Sequence, residues 1–165
     1  MKRDISPNFQ EWYDKSREWG FGVYRQIYRP NPTALEVAEQ YLYSRKRGFL
    51  TKDDADNYNN RWLQFDGSYI GQFDECYRFM NMRFGIQEAH IYANWKMDGH
   101  SYGRHNDVMD VILVQMWNKT AYCVESDNQH TSFTLSPGDA LYIKAGVYHT
   151  PVILGERATM SFSWK

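Results

Sequence analysis

The sequence predicts a mainly β fold with helices gathered in its first half. Residues 86–165 alternate short runs of strand-forming side chains with turn signals, the clearest being the Ser-Pro-Gly-Asp turn at 136–139. Residues 1–85 are rich in Asp, Asn, Arg and Tyr and carry helical stretches instead. Several short strands at near-regular spacing are typical of a β-sandwich or barrel.

Three helices are expected in the first half. The first covers 7–19. The second begins after Thr33, whose side chain can cap a helix, and its apolar residues recur at the i, i+3, i+4 spacing of one helix face. The third, over 68–84, has one apolar face and ends at Gly85. The polar run 53–60 is expected to be a loop.

The second half is expected to form strands at 88–97, 108–117, 121–126, 132–135, 140–143, 150–153 and 157–164. A polar loop is expected at 127–131. No Gly/Ser/Pro-rich linker separates the halves, and no fixed-period repeat is present. We therefore expect one domain over 1–165, in which a helical front half, 1–87, packs on a β core, 88–165.

Composition restricts the class of protein. The chain has 165 residues and a mass of 19.6 kDa, which suits a single domain. Lys and Arg total 19 and Asp and Glu total 20, for a net charge of −1, so a nucleic-acid partner is not expected. No apolar run approaches the ~20 residues that span a bilayer, so no membrane partner is expected either.

The compartment is expected to be the cytoplasm. The first ten residues lack the hydrophobic core of a signal peptide. The two cysteines, Cys76 and Cys123, do not make a disulfide framework, which favours a reducing interior.

His105 and Asp107 are the sharpest chemical signal in the chain. Residues two apart on an extended strand point to the same side, so the imidazole and the carboxylate should converge. His149 follows a turn, a strand and a second turn, and a barrel could return it beside His105. Two histidines and one carboxylate leave octahedral positions open, which suits Fe(II) that also binds a chelating co-substrate and O2. A structural zinc site would instead fill its positions with protein ligands.

The last strand alternates in a way that suits the wall of a cavity. One face carries polar residues, and the opposite face is apolar and can pack under the helices. The polar set is Arg157, Thr159, Ser161 and Ser163, and the apolar set is Ala158, Met160, Phe162 and Trp164.

Three motifs carry a family resemblance. Residues 102–107, the Gly138-Asp139 turn and the run from His149 to Arg157 resemble the Fe(II)/2-oxoglutarate-dependent oxygenases, whose shared pattern is His-x-Asp, a distant His and a basic residue on the next strand. Residues 105–115 resemble the jumonji-type ribosomal oxygenases, and 135–142 are similar to the second motif of cupins and jumonji domains. The resemblance covers residues 88–164, where the order and spacing of the motifs agree.

The resemblance implies a double-stranded β-helix, the cupin-like jelly roll, with N-terminal helices packed against it. It also implies that His105, Asp107 and His149 hold Fe(II), with 2-oxoglutarate as co-substrate and O2 as oxidant. An arginine inside such a cavity needs an anion, and a guanidinium fits a carboxylate best. Arg157 is therefore the candidate for binding the distal carboxylate of 2-oxoglutarate.

Further co-substrate contacts are expected from four residues. Tyr122 could offer its hydroxyl to the same carboxylate, Ser161 shares the polar face of the last strand, and Tyr92 could line the cavity mouth together with Asn94. Thr120 stands where jumonji enzymes usually carry Lys or Arg. That departure favours anchoring by Arg157, as in prolyl-hydroxylase-like members.

These residues lead to one main hypothesis and two alternatives. The main hypothesis is an oxygenase that decarboxylates 2-oxoglutarate to succinate while it oxidises a C–H bond of a small-molecule or peptide substrate. The first alternative is a metal-binding cupin enzyme that does not use 2-oxoglutarate. The second is a non-catalytic jelly-roll binding module.

Overall fold

A computed structural model describes residues 8–49, 63–97 and 99–165. Within these ranges the helices are α1 (Phe9–Trp19), α2 (Ala34–Lys46) and α3 (Gly71–Phe84). The strands are β1 (Phe21–Tyr24), β2 (Leu63–Asp66), β3 (Glu88–Asn94), β4 (Asp110–Trp117), β5 (Thr120–Ser126), β6 (Gln129–Leu135), β7 (Ala140–Ile143), β8 (His149–Ile153) and β9 (Arg157–Trp164). None of the described helices is both long and apolar enough to cross a membrane.

The three predicted helices are confirmed, and two of them carry the expected end signals. Thr33 Oγ1 accepts a hydrogen bond from the Glu36 N–H, and the Glu36 carboxylate accepts one from the Thr33 N–H, at 3.2 and 2.7 Å. This reciprocal pair satisfies N–H groups that have no partner inside α2. At the end of α3, Gly85 adopts a φ of 58°, a left-handed conformation that glycine enters without steric cost.

The strands form two antiparallel sheets. The larger sheet has the order β1-β7-β4-β9-β3-β2, and the smaller has the order β6-β5-β8. Val111, Leu113 and Leu141 of the larger sheet pack against Tyr122 and Val124 of the smaller one. The two sheets therefore face each other across an apolar layer. This arrangement agrees with the predicted mainly β fold.

The outer face of the larger sheet is covered by the helices. Residues from β9, α1, α2 and α3 form one buried apolar cluster there, and its members include Ala158, Met160, Phe162, Trp164, Phe9, Val37, Phe73, Cys76 and Met80. The apolar face of the last strand thus packs under the helices as predicted. Its polar face is turned toward the space between the sheets.

The prediction of a helical front half needs correction, because that half also contains β1 and β2. Each has four residues and stands apart from the regularly spaced, turn-bounded series that identifies the strands of the second half. β1 pairs with β7 and β2 pairs with β3, so the first half supplies both edges of the larger sheet.

The prediction of a polar loop at 127–131 is also wrong, because the connection is shorter. Only Asp127 and Asn128 connect β5 to β6, and both have positive φ angles, 50° and 61°. Two-residue hairpin turns require such angles, and Asp and Asn tolerate them better than most side chains. The loop predicted at 53–60 lies outside the described residues.

Candidate active site

His105, Asp107 and His149 meet at one point of the molecule. One possible ligand atom from each residue lies within 4.8 Å of the other two. His149 Nε2 is 3.5 Å from Asp107 Oδ2, and the centroids of the two imidazole rings are 4.3 Å apart. Two nitrogens and one carboxylate oxygen at this spacing could hold a divalent metal ion.

Backbone pairing brings these residues together, and it differs from the strand that the sequence predicts. β4 begins at Asp110, so His105 and Asp107 lie in the irregular segment before it. An isolated antiparallel bridge joins His105 to His149, with N–H···O distances of 3.0 and 2.8 Å. The Gly146 N–H also donates to the Asp107 carbonyl at 2.9 Å.

Both imidazole rings are oriented by the carbonyl two residues earlier. His105 Nδ1 lies 2.8 Å from the Gly103 oxygen, and His149 Nδ1 lies 3.2 Å from the Val147 oxygen. A carbonyl oxygen only accepts, so each Nδ1 must carry the proton. Each Nε2 then keeps its lone pair for a metal ion, with the carbonyl fixing the ring from behind.

Burial prepares His149 for the same role. It lowers the pKa of the His149 imidazole, and this outweighs the opposing effects of the Val147 carbonyl and Asp107. The ring is therefore neutral near pH 7, as a metal ligand must be. Asp107, in contrast, keeps 39% of its side chain exposed, so the site opens to solvent on the carboxylate side.

The three residues line a cavity of about 160 Å³ between the sheets. Pockets for drug-sized ligands have volumes of ~300–1,000 Å³, so this cavity suits a smaller molecule. Its other lining residues are Glu88, His90, Tyr92, Ser101, Tyr102, Val108, Met109, Val111, Leu113, Tyr122, Pro151, Arg157, Ser161 and Ser163.

Arg157 contributes a buried positive charge to this cavity, with only 1% of the residue exposed. Its Nε donates to Asn94 Oδ1 at 2.8 Å, its Nη1 to Thr159 Oγ1 at 3.0 Å and its Nη2 to Ser101 Oγ at 3.1 Å. All of these partners are neutral, and no carboxylate of the described residues forms an ion pair with it. A guanidinium has five N–H donors, so donors remain for an anion.

The residues around Arg157 are themselves held in place. Thr159 donates its hydroxyl proton to Gln115 Oε1 at 2.8 Å, and Gln115 Nε2 donates to the Trp117 and Asn118 carbonyls at 2.9 and 3.0 Å. The Thr159 oxygen is therefore left as an acceptor toward Arg157.

Tyr122 also lies near the guanidinium, whose positive charge acts on the phenol against the effect of burial. Burial raises the pKa of the Tyr122 phenol, so the group is neutral and cannot neutralise the arginine. Tyr92 and Ser161 line the same cavity. Burial likewise raises the pKa of Tyr92.

Thr120 is the one predicted co-substrate residue that the structure does not place on the cavity wall. It lies two residues before Tyr122 on the same face of β5, and it pairs with Leu135 of β6 on one side and with Ile153 of β8 on the other. Its hydroxyl is buried and has no hydrogen-bond partner among the described residues.

Sequence reasoning missed Ser101 and the partnership between Asn94 and Arg157. Asn94 stands directly opposite Arg157 in the β3–β9 pairing. Its Nδ2 donates to the His100 carbonyl at 2.9 Å, so its oxygen faces the guanidinium. The strand alternation places Asn94 on the correct side, but the pairing register that sets it against Arg157 is not visible in one sequence.

No protein-family profile and no curated protein matches this sequence. Solved structures do match. The X-ray structure of Escherichia coli ycfD superposes with a TM-score of 0.68 at 16% identity, covering 100% of this chain and 55% of that one. A second match is the structure of YcfD, a ribosomal oxygenase from Escherichia coli, in complex with cobalt and 2-oxoglutarate. Its TM-score is 0.69 at 16% identity, over 98% of this chain and 52% of that one.

These similarities establish the fold. The chain has the double-stranded β-helix, or jelly-roll, fold that the sequence predicts, and it shares this fold with YcfD. It spans about half the length of the YcfD chains.

Proposed function

We propose that the protein is an Fe(II)- and 2-oxoglutarate-dependent oxygenase. One observation carries the proposal: a buried arginine with only neutral protein partners shares a small cavity with an open His-Asp-His triad. A metal site alone would fit many enzymes. The additional buried cation selects a ligand that carries a carboxylate away from its metal-chelating end.

The donor set fits iron(II). His105 and His149 offer Nε2, and Asp107 offers a carboxylate oxygen. Three protein ligands on one side leave the other side for exchangeable ligands, which is the arrangement of non-haem iron oxygenases. Bound iron(II) and 2-oxoglutarate would supply the activation of O2 and the oxidation of a substrate C–H bond, with succinate and CO2 as co-products.

Arg157 is assigned to the distal carboxylate of the co-substrate. Asn94, Thr159 and Ser101 fix the guanidinium in advance, so little ordering is needed when the anion arrives. The neutral Tyr122 hydroxyl can supply one more hydrogen bond. Because Arg157 is almost fully buried, water competes weakly for the carboxylate, and the charge-assisted bond is strong.

The structural comparison supports the proposed choice of metal and co-substrate, not the role of a particular residue. YcfD, which shares the fold, is described in complexes with cobalt and 2-oxoglutarate and with cobalt and succinic acid. Cobalt commonly substitutes for iron(II) at sites of this donor type.

The test is binding and turnover of 2-oxoglutarate. Calorimetry should detect 2-oxoglutarate binding in the presence of Co(II) and none in its absence. Arg157→Ala should weaken that binding by about 10- to 100-fold, because a buried charge-assisted contact is lost, and should leave Co(II) affinity within about threefold. With Fe(II) and O2, the unmodified protein should form succinate, and Arg157→Ala should form much less.

The control is Arg78→Gln, which removes an exposed arginine of α3 that pairs with Asp74 away from the cavity. Its 2-oxoglutarate affinity should be unchanged. If the protein binds Co(II) but Arg157→Ala does not change its affinity for 2-oxoglutarate, the metal-binding cupin would be favoured. A protein that takes up no stoichiometric Fe, Co, Ni or Zn would be the non-catalytic module.

A further inference from the structure

We propose that Arg104, Glu125 and Tyr148 form a clasp that positions both histidine ligands and thereby sets the affinity of the site for its divalent cation. This inference rests on the proposed metal centre. The three residues lie outside the cavity wall, so they would act through His105 and His149 as positioning residues.

The clasp is defined by three close contacts. Arg104 Nε and Nη2 donate to the two carboxylate oxygens of Glu125 at 2.7 and 2.8 Å, a bidentate pair. The Arg104 guanidinium carbon lies 3.8 Å from the centre of the Tyr148 ring. The Glu125 N–H donates to the Tyr148 carbonyl at 2.9 Å. Bidentate and stacked contacts of this kind exploit the planar shape of arginine.

The position of the clasp relates it to the metal ligands. Arg104 immediately precedes His105, and Tyr148 immediately precedes His149. His105 and His149 line the cavity, whereas Arg104 and Tyr148 do not. The stacked Arg104 and Tyr148 thus hold, from outside, the same two backbone segments whose inner sides carry the imidazoles.

The segment that carries His105 depends on such support. It belongs to no strand. Next to the ligands, its backbone bonds to the other described residues are the His105–His149 bridge and the bond from Gly146 to Asp107, and Asn106 Nδ2 adds a side-chain bond to the Gly146 carbonyl at 3.4 Å. The clasp adds a tie to a third element, β5, through Glu125. Removing it leaves the fold intact but lets the first histidine move relative to the second.

Metal affinity should respond to the clasp more than folding stability does. The Arg104 side chain is 54% exposed, and exposed ion pairs contribute little to the free energy of unfolding. A loosened ligand must instead be ordered each time a metal binds, and that cost appears in the binding constant.

A simple charge effect makes the opposite prediction for one variant. If Arg104 and Glu125 influenced the metal only through their charges, loss of Arg104 would tighten binding of a cation and loss of Glu125 would weaken it. The clasp predicts that losing either residue weakens binding. Tyr148→Leu, which changes no charge, should weaken it as well.

The experiment is a Co(II) titration of the metal-free 165-residue chain, monitored by calorimetry and by the visible absorption of the bound ion. Arg104→Gln and Glu125→Gln should each lower Co(II) affinity by about 10-fold, the lower end for residues supporting a metal ligand. The double variant should lose no more than either single variant, because one structural unit is broken once. The melting temperature of the metal-free protein should change by less than about 4 °C.

The matched control is Arg78→Gln, which breaks the exposed Arg78–Asp74 pair of α3 and should leave Co(II) affinity unchanged. Unchanged or tighter Co(II) binding by Arg104→Gln, or additive losses in the double variant, would overturn the clasp. If Arg104→Gln folds poorly, Tyr148→Leu decides by the same criterion. An unmodified protein that binds no Co(II) would overturn the metal centre itself, which is a distinguishable failure.

Discussion

The two ends of the cavity are built in different ways. At the metal end, His105 and Asp107 come from an irregular segment, and Asp107 is partly open to solvent. At the other end, Arg157 lies on a regular strand, is almost fully buried and is held by side chains of β3, β9 and the segment at 101. The metal end is ordered by a few backbone bonds and by the outer contacts of Arg104. The other end is ordered by a buried side-chain network that still leaves guanidinium donors for a ligand.

The difference fits what each end would bind under the proposed function. A metal site of that kind would admit an ion, a co-substrate and O2, so some exposure and adaptability would be useful there. A carboxylate is held strongly only where the cation is fixed and water is excluded. We therefore expect changes at the Arg157 end to leave Co(II) affinity largely unaffected, and the predictions below assign each effect to one end of the cavity or to neither.

The largest effect is expected from His149→Ala. The variant removes the most buried ligand of the triad, so Co(II) affinity should fall by at least about 100-fold, more than for loss of a supporting residue. His130→Ala, which removes an exposed histidine of β6, should have no effect. Calorimetric titration of both variants with Co(II) provides the comparison, and retained affinity in His149→Ala would place the metal elsewhere.

A smaller effect, confined to the other end, is expected from Asn94→Asp. The new carboxylate would lie about where Asn94 Oδ1 now lies, 2.8 Å from Arg157 Nε, and would neutralise the guanidinium. Affinity for 2-oxoglutarate in the presence of Co(II) should fall by about 10-fold, the cost of a competing charge-assisted contact. Co(II) affinity itself should not change.

Asn128→Asp is the control for Asn94→Asp, because it adds the same charge at the exposed β5–β6 turn. It should bind 2-oxoglutarate like the unmodified protein. Equal 2-oxoglutarate affinity in Asn94→Asp would contradict the idea that an unneutralised guanidinium attracts the co-substrate.

The smallest effect is expected from Asp139→Asn, which should lower stability without changing metal affinity. Asp139 accepts hydrogen bonds from Arg25, from the Gln26 N–H and from the Ser136 N–H, at 2.6, 3.1 and 2.9 Å. An amide offers one acceptor oxygen instead of two, so the free energy of unfolding should fall by about 1 kcal/mol. Urea denaturation at pH 7 measures this.

The effect of Asp139→Asn should depend on pH. Burial alone would raise the pKa of Asp139, but the N–H donors of Ser136, Arg25 and Gln26 outweigh it and hold the pKa below its ordinary value. The stabilisation is thus complete above the unfolded-state pKa of about 4 and is lost as the pH falls through the lower folded-state pKa. The variant and the unmodified protein should converge in stability below that range, and a constant difference down to acidic pH would argue against a charged Asp139.

Local signals accounted for what the sequence could predict. Thr33 and Gly85 mark helix ends through bonds within a few residues, and the alternation from Arg157 to Trp164 describes one strand by itself. The grouping of His105, Asp107 and His149 came from motif order and the family resemblance. The helix ends and the strand each depend on a short stretch of chain, whereas the grouping of the three site residues depends on motifs that lie far apart.

Features that depend on strand register could not be predicted. Nothing in the residues near Asn94 indicates that it pairs with Arg157, and nothing near Arg104 indicates Glu125 as its partner. β1 was not predicted, because its four residues form a strand only by pairing with the distant β7. These contacts arise from closure of the barrel, which propensity and periodicity do not encode.

The pairing of β1 with β7 has a consequence for how the chain folds. Phe21 stands opposite Ile143, so β1 must wait until the much later β7 has been synthesised. Until then its backbone groups have no ladder partner. Such distant pairing slows folding, because a long loop must close before the stabilising contacts form. Assembly of the larger sheet is therefore expected to be completed only after β7 and β9 have been synthesised.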